Sequence, residues 1–185
     1  MDESRGTGII TQLFGVNTLL RIVSTFLGLS ILAASALAGE KMEVRLSKTN
    51  KTDKFEVMLD DKSAGRFSFF MAFHGTYKQT RGGSLFEGVN NKGQGTGVLF
   101  QGNGPVSGFD VDEKDGDSYK LEWAGECFSL SGSDGKPVGY CAGGAFVAPG
   151  SGTGRFAGLS GGGNWRGHSL PNGDFDVEEN LVLEK

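Results

Sequence analysis

Glycine content is the feature that most restricts how this chain can fold. The sequence has 32 glycines in 185 residues, well above the usual share of roughly 7 per cent. Each glycine inside a helix costs about 1 kcal/mol relative to alanine, and no window after residue 40 shows a long apolar stripe of period 3.6. Apolar residues nevertheless recur at strand spacing, among them most of the 14 phenylalanines, which argues against disorder. An all-β fold is therefore predicted.

Alternating apolar residues predict about eight to ten short antiparallel strands. In the segment 66–78, the phenylalanines at 67, 69 and 73 share one face with Met71 and Tyr77, and His74 lies on the other face. Turn-forming residues separate the segments at 60–65, 90–93 and 101–105. The other predicted strands are 42–46, 55–59, 84–88, 97–101, 106–111, 118–130, 138–147, short stretches around Phe156 and Trp165, and 175–183.

Glycines inside these strands favour a closed barrel over a sandwich. Closing a small sheet needs tight bends and close strand contacts, where a Cβ would clash. About eight strands are expected in such a barrel. The glycines predicted to serve these contacts are Gly125, Gly143, Gly144, Gly161, Gly162 and Gly163.

The N-terminal 38 residues have the pattern of a signal peptide. Arg21 precedes an apolar run of about fifteen residues that ends in Ala36-Leu37-Ala38, the small-x-small pattern read by signal peptidase. The run is shorter than the roughly 20 residues of a membrane-spanning helix. We predict a cleaved signal helix, a secreted or periplasmic protein that begins at Gly39, and one domain over 39–185. Because the leader is long, a true translation start at Val16 is an alternative.

Charge and cysteine content narrow the partners and the compartment. The formal net charge is −4, which disfavours nucleic acid as a partner. The two cysteines lie in the predicted exported part, where a disulfide can persist. Residues 133–135 are predicted to form a three-residue hairpin loop that pairs Cys127 directly with Cys141, and a disulfide between them is predicted. A two-residue turn at Asp134-Gly135 would instead oppose Cys127 to Ala142 and make a bridge implausible.

Several segments resemble binding motifs, but their residues do not have the spacing that those motifs require. The glycine-rich segment 152–165 lacks the Gly-Lys-Ser/Thr ending of a phosphate loop. The acidic run 110–117 does not match a calcium-binding loop and is predicted to be a solvated hairpin turn. His74 and His168 are not at metal-ligand spacing and are predicted to be surface or rim residues. No metal, no cofactor and no catalytic residue is predicted.

The same glycine-rich segment carries a family resemblance. Gly152-Thr153-Gly154-Arg155-Phe156-Ala157-Gly158, followed by a glycine-rich stretch to Trp165, resembles the hairpin of the allene oxide cyclase and dirigent-like barrels. The resemblance implies an eight-stranded antiparallel barrel of lipocalin-like (calycin) shape. It also implies a lumen for an apolar small molecule, reactions guided by shape, and dimers or trimers. The matched residues are structural, so the resemblance transfers no catalytic position.

Inward-facing aromatic residues are the candidate ligand-binding positions. An eight-stranded barrel is just wide enough to be filled by side chains or to hold one small ligand. Core packing therefore explains the same residues equally well. The candidates are Phe67, Phe69, Phe73, Tyr119, Trp123 and Trp165.

Three functions remain open on the sequence. The first is a non-catalytic barrel that binds an apolar small molecule or serves as a structural or interaction module. The second is an isomerase or cyclase resembling allene oxide cyclase, with Glu87 or Tyr119 as polar contacts. The third is a self-associating surface protein. A buried carboxylate among the aromatic residues would favour the enzyme, and a solidly packed lumen would exclude both enzyme and binder.

Overall fold

The computed structural model describes residues 39–61, 64–132, 135 and 137–185. The predicted signal peptide and the alternative start at Val16 lie outside the described residues. The elements are β1 Lys41–Asp61, β2 Arg66–Thr76, β3 Lys78–Arg81, β4 Asn90–Phe100, β5 Gly104–Lys114, β6 Asp117–Ser131, β7 Pro137–Val147, a short 3-10 helix Gly154–Phe156, β8 Ser160–Ser169 and β9 Phe175–Glu184.

The sheet closes on itself as an eight-stranded antiparallel barrel, as predicted. The strands follow the order β2-β4-β5-β6-β7-β8-β9-β1, and β1 also pairs with β2 to close the ring. The first half of β1 pairs with β9 from Lys41 opposite Glu184, and the second half pairs with β2. The short strand β3 lies outside the ring and pairs with β1 near Arg45. Closure removes the exposed edges that an open sheet would present.

The two predicted strands 42–46 and 55–59 are one continuous strand, β1, with a register irregularity between Thr52 and Lys54. The polar segment between them interrupts the apolar alternation, which suggested two elements. In the structure Lys48 and Asn50 keep the inward phase of Val44 and Leu46, and all four are buried. The strand is unbroken because the barrel interior contains a polar layer at this height.

Three further assignments were wrong. Residues 90–93 begin β4 rather than a turn, because Asn91 is buried and its amide bonds inside the barrel. Residues 84–88 are turns rather than a strand, and Phe156 lies in the 3-10 helix. Phe86 and Phe156 are fully buried, so these loops fill one end of the barrel rather than extend its sheet.

The hydrophobic core occupies the same end of the barrel as these loops. Phe86, Tyr119 and Phe156 contact one another through their rings, with centroids 4.9 to 5.9 Å apart. Val44, Leu46, Leu121, Leu181 and Leu183 surround them from the strands.

The β6–β7 hairpin confirms the predicted register and the disulfide. Leu130 pairs with Val138, and Cys127 pairs with Cys141 as the three-residue loop requires. Gly135 has a φ of 76°, the left-handed conformation expected at the end of that loop; residues 133 and 134 lie outside the described part. A disulfide joins Cys127 to Cys141.

Most of the predicted strand glycines lie where a side chain would clash. A Cβ at Gly143 would lie 2.0 Å from the carbonyl oxygen of Ala124, and one at Gly163 would lie 2.0 Å from that of Asn180. Gly125 and Gly162 are similarly restricted, and Gly161 has a φ of 102°. Gly144 is the exception, because its Cβ would meet only the Gly163 carbonyl at 3.7 Å. Its prediction as a close-contact glycine is therefore wrong.

Candidate functional site: a barrel cavity with a charged inner end

A cavity of about 340 Å³ occupies the half of the barrel opposite the core. It reaches the end formed by the β4–β5, β6–β7 and β8–β9 hairpins, where Gly102, Gly139 and Gly173 border it. Its volume lies within the usual range of small-molecule sites. The apolar lining consists mainly of Phe55, Phe67, Phe69, Met71, Phe73, Leu99, Val106, Trp123, Trp165 and Phe175.

Five of the six predicted lumen residues line this cavity, and Tyr119 does not. Tyr119 is packed in the core beside Phe86 and Phe156. The Trp123 ring lies between those of Phe73 and Trp165, with centroid distances of 6.4 and 5.7 Å. The five residues therefore border the cavity, and four of them also belong to a hydrophobic cluster around the buried Phe69.

Three glycines on the inner face of β4 determine how these rings lie. A Cβ at Gly93 would be 2.3 Å from the Phe73 ring, one at Gly95 would be 2.5 Å from Trp123, and one at Gly97 would be 2.5 Å from Phe69. The rings lie across β4 because these positions carry no side chain, and the space further along the barrel axis stays open.

Four buried ionisable side chains lie between the cavity and the core; we call Lys48, Asp110, Asp112 and Glu179 the inner charged cluster. Their exposed fractions are 6, 2, 0 and 3 per cent. The Lys48 Nζ lies 2.8 Å from Asp110 Oδ2 and 3.2 Å from Glu179 Oε1. Three of the four line the cavity, and Asp112 lies on the core side.

Neighbouring polar groups hold the cluster in place. The Lys48 ammonium donates to the Tyr77 hydroxyl at 2.6 Å, and that hydroxyl donates to Glu179 Oε1 at 3.0 Å. Trp123 Nε1 donates to Asp110 Oδ1 at 2.9 Å. A cavity-wall ring and a cluster carboxylate are therefore directly joined, and buried charge is stabilised by such bonds.

Burial dominates the ionisation of the cluster carboxyls. It raises the pKa of Asp112 to about 7, against the opposing effect of the Lys48 ammonium. It also raises the pKa of Glu179 above its usual range. Burial alone would lower the pKa of Lys48, but Asp110 and Glu179 outweigh it, so the pKa lies above the ordinary value. Lys48 is therefore charged at neutral pH, while Asp112, with a pKa of about 7, is protonated in part of the molecules at that pH.

Four buried polar atoms have no hydrogen-bond partner among the described residues: Asn50 Oδ1, Asn91 Oδ1, Asp112 Oδ2 and the Tyr119 hydroxyl. Asp112 receives a bond from Asn91 Nδ2 at 2.7 Å on its other oxygen only. Tyr119 stands directly opposite Asp112 on the paired strand. Burial, followed by the charge of Asp112, raises the pKa of Tyr119 well above its usual range, so it keeps its proton.

The inner charged cluster was missed by the sequence analysis. The acidic run was predicted to be a solvated turn, but only Asp115 and Gly116 form the turn, and Asp110 and Asp112 face inward from β5. The local alternation indicates the opposite arrangement, because Phe109 and Val111 are the apolar residues of this segment. Asp110 and Asp112 share strand phase with the buried Val106, whereas Val111 between them is exposed.

Other candidate polar residues lie outside the cavity or at its rim. Glu87 is exposed and accepts a bond from the Gln79 amide at 2.7 Å. His74 is on the outside beside Asp53 at 2.8 Å, and His168 lies at the cavity rim 3.8 Å from Asp176. Within the described ranges, no group of three or more His, Cys, Asp or Glu side chains is arranged to hold a metal ion.

These features define a closed antiparallel barrel with an aromatic cavity above a buried charged layer. No protein-family model matches the chain, and no curated protein matches it significantly. Three solved chains resemble it. One is a protein of unknown function from the DUF3224 family from Shewanella oneidensis, with 17% sequence identity, a TM-score of 0.46, and coverage of 77% of this chain and 99% of that chain. At this identity and score the similarity carries no functional inference.

Proposed function

We propose that the barrel binds a small, mainly apolar molecule in its cavity. The observation that carries this proposal is an aromatic-lined space of about 340 Å³ that reaches the barrel end. Rings from strands that are not paired with each other approach one another there, as Phe73 of β2 and Phe175 of β9 do at a centroid distance of 5.1 Å. Binding at an aromatic surface of this kind is most favourable for an apolar ligand, because the ligand removes that surface from water.

A neutral fluorescent probe, N-phenyl-1-naphthylamine, tests the cavity. We expect saturable fluorescence enhancement with the unmodified protein and at least a tenfold loss of affinity in Leu99→Trp, because Leu99 lines the cavity and a larger ring would fill it. Val98→Trp is the matched control, since Val98 is the next residue on the same strand and is exposed. Absence of saturable binding, or equal binding by both variants, would contradict the proposal.

A second candidate is acid–base isomerisation or cyclisation, in line with the resemblance to allene oxide cyclase. Glu179 favours it, as a buried carboxyl with a raised pKa that borders the cavity. Supplying an allene oxide generated in situ should then give a stereochemically biased cyclic product, and Glu179→Gln should give a racemic one. A racemic product with the unmodified protein would exclude this activity.

We also propose that the chain is exported and that its signal peptide is cleaved after Ala38. The disulfide supports this, because such bonds persist in oxidising compartments. Within the described residues there is no helix long and apolar enough to cross a membrane. Intact mass of protein recovered from its own host should correspond to a chain that starts at Gly39 and lacks the two thiol hydrogens. A mass that includes residues 1–38, or two free thiols after denaturation, would contradict export.

A further inference from the structure

Three hydrogen-bond donors at the inner end of the cavity, those of Lys48, Tyr77 and Trp123, already have acceptors. An ammonium has three N–H groups, and the Lys48 Nζ has three partners: the Tyr77 hydroxyl, Asp110 Oδ2 and Glu179 Oε1. The Tyr77 hydroxyl donates its single proton to Glu179. Trp123 donates its indole N–H to Asp110. None of these groups retains a proton for a ligand.

Some hydrogen-bond acceptors at the same end, in contrast, can still receive further bonds. An ionised carboxylate offers about four lone-pair sites, and each oxygen of Asp110 receives one bond. Asn50 lines the cavity and is 1 per cent exposed, and its amide oxygen has no partner within the part of the chain that the structure describes. A ligand group that reaches this end meets acceptors that lack donors.

The net charge of the inner charged cluster also favours a ligand group that brings protons or positive charge. The inner charged cluster contains one cation and three carboxyl groups, and all are buried. Unbalanced buried charge is strongly destabilising, because each ion loses its hydration without a compensating partner. Protonation of Asp112 relieves part of the excess, since its pKa is raised to about 7. A cation at the cavity side of Asp110 and Glu179 would relieve the rest.

The cavity walls also suit a cation. The faces of Trp and Phe rings attract positive charge through their negative electrostatic potential. Trp123 lies at this inner end, bonded to Asp110 through its indole nitrogen. Its ring packs edge to face with Trp165 at a centroid distance of 5.7 Å. The Trp123 ring and the carboxylates of Asp110 and Glu179 therefore border the same cavity.

We propose that the ligand of this cavity is a small organic cation, a protonated amine on an apolar body. Its N–H groups bond Asp110, Glu179 and Asn50, and its apolar body packs against the aromatic rings toward the barrel end. This inference rests on the proposed function, because it specifies the class of molecule that the same cavity binds.

Three indoles of similar size separate this inference from the proposed function: tryptamine as the cation, tryptophol as the neutral alcohol and indole-3-propionate as the anion. Binding is measured by calorimetry at pH 7.5 and by displacement of N-phenyl-1-naphthylamine. We expect tryptamine to bind at least tenfold more tightly than tryptophol, and the carboxylate to bind most weakly. Equal affinities, or tighter binding of the alcohol or the acid, would overturn the cation inference and leave the binding function intact. If neither the probe nor any indole binds, both proposals fail.

Glu179→Gln tests the assignment within the cavity, with Glu178→Gln as the matched control. Glu178 is the adjacent residue, pairs with Arg166 on the outside and is half exposed. We expect Glu179→Gln to lose the preference for tryptamine over tryptophol while tryptophol still binds, and Glu178→Gln to keep the preference. If the Glu179→Gln protein binds tryptophol and still prefers tryptamine, the proposed contact between Glu179 and the ligand's ammonium group is wrong. If this variant does not fold, the indole series on the unmodified protein decides the inference alone.

Discussion

Lys48→Met is expected to destabilise the barrel by about 3 to 5 kcal/mol at pH 8, the cost of breaking a buried ion pair. The side chain is 6 per cent exposed and is bonded to Asp110, Glu179 and Tyr77. Methionine preserves much of its length and apolar contact, so the effect reports the lost charge. Without the ammonium, the three cluster carboxyls have no buried cation among the described residues.

The deficit of Lys48→Met should shrink as the pH falls. In the unmodified protein Asp112 has a folded pKa of about 7 against an ordinary value of 3.8. The stability from its protonated form is complete below about pH 4 and is lost as the pH rises through about 7. Removal of Lys48 raises the folded pKa of the cluster carboxyls further. The folded variant then binds more protons than the unfolded chain, and acid stabilises it relative to the unmodified protein.

Urea denaturation at pH 5 and pH 8 measures this difference, with Lys54→Met as the control. Lys54 is paired with Glu56 at the surface, where both side chains are more than half exposed, and such pairs contribute at most about 1 kcal/mol. A Lys48→Met deficit that is small at pH 8, or that is equal at the two pH values, would show that the cluster is not electrostatically coupled.

Gly143→Ala is expected to cost about 3 kcal/mol or more, at the upper end of the usual effect of overpacking. The added Cβ would lie 2.0 Å from the Ala124 carbonyl oxygen and 2.6 Å from the Gly125 Cα. Both are backbone atoms of the paired strand β6, so the clash is relieved only by separating β6 from β7. No side-chain rotation can accommodate it.

Gly144→Ala is the matched control, one residue further along the same strand. Its Cβ would be in ordinary contact with the Gly163 carbonyl, at 3.7 Å, and surface changes of this kind stay within about 0.5 kcal/mol. Thermal melts of the two variants at one pH make the comparison. Equal melting temperatures would show that β6 and β7 are not as close as described.

The sequence was sufficient for the features that depend on local pattern. Period-2 alternation located most strands, and the loop at 133–135 was enough to place Cys127 opposite Cys141. The same alternation identified five aromatic residues that line the cavity. Each of these follows from residues within one strand or one hairpin, where side-chain direction and turn geometry are fixed by the backbone.

The inner charged cluster could not be predicted in the same way. Lys48 and Asp110 are 62 residues apart in sequence, and nothing local to either residue indicates the other. Charged residues in a strand are ordinarily solvated. The acidic run 110–117 was predicted to be a solvated turn, and the predicted strands 42–46 and 55–59 did not include Lys48. Each charge can be buried only because closure of the barrel places the oppositely charged members of the cluster beside it.

Barrel closure also has a consequence for the kinetics of folding. The strand that completes the ring, β1, forms its ladder with β9, from Lys41 opposite Glu184 to Asn50 opposite Phe175. Pairing between the two ends of the domain requires a large loop closure before any stabilisation is gained, and folds dominated by such contacts form slowly. The ring is therefore complete only when the first strand of the domain has paired with the last, and the Lys48 charge is enclosed only after that step.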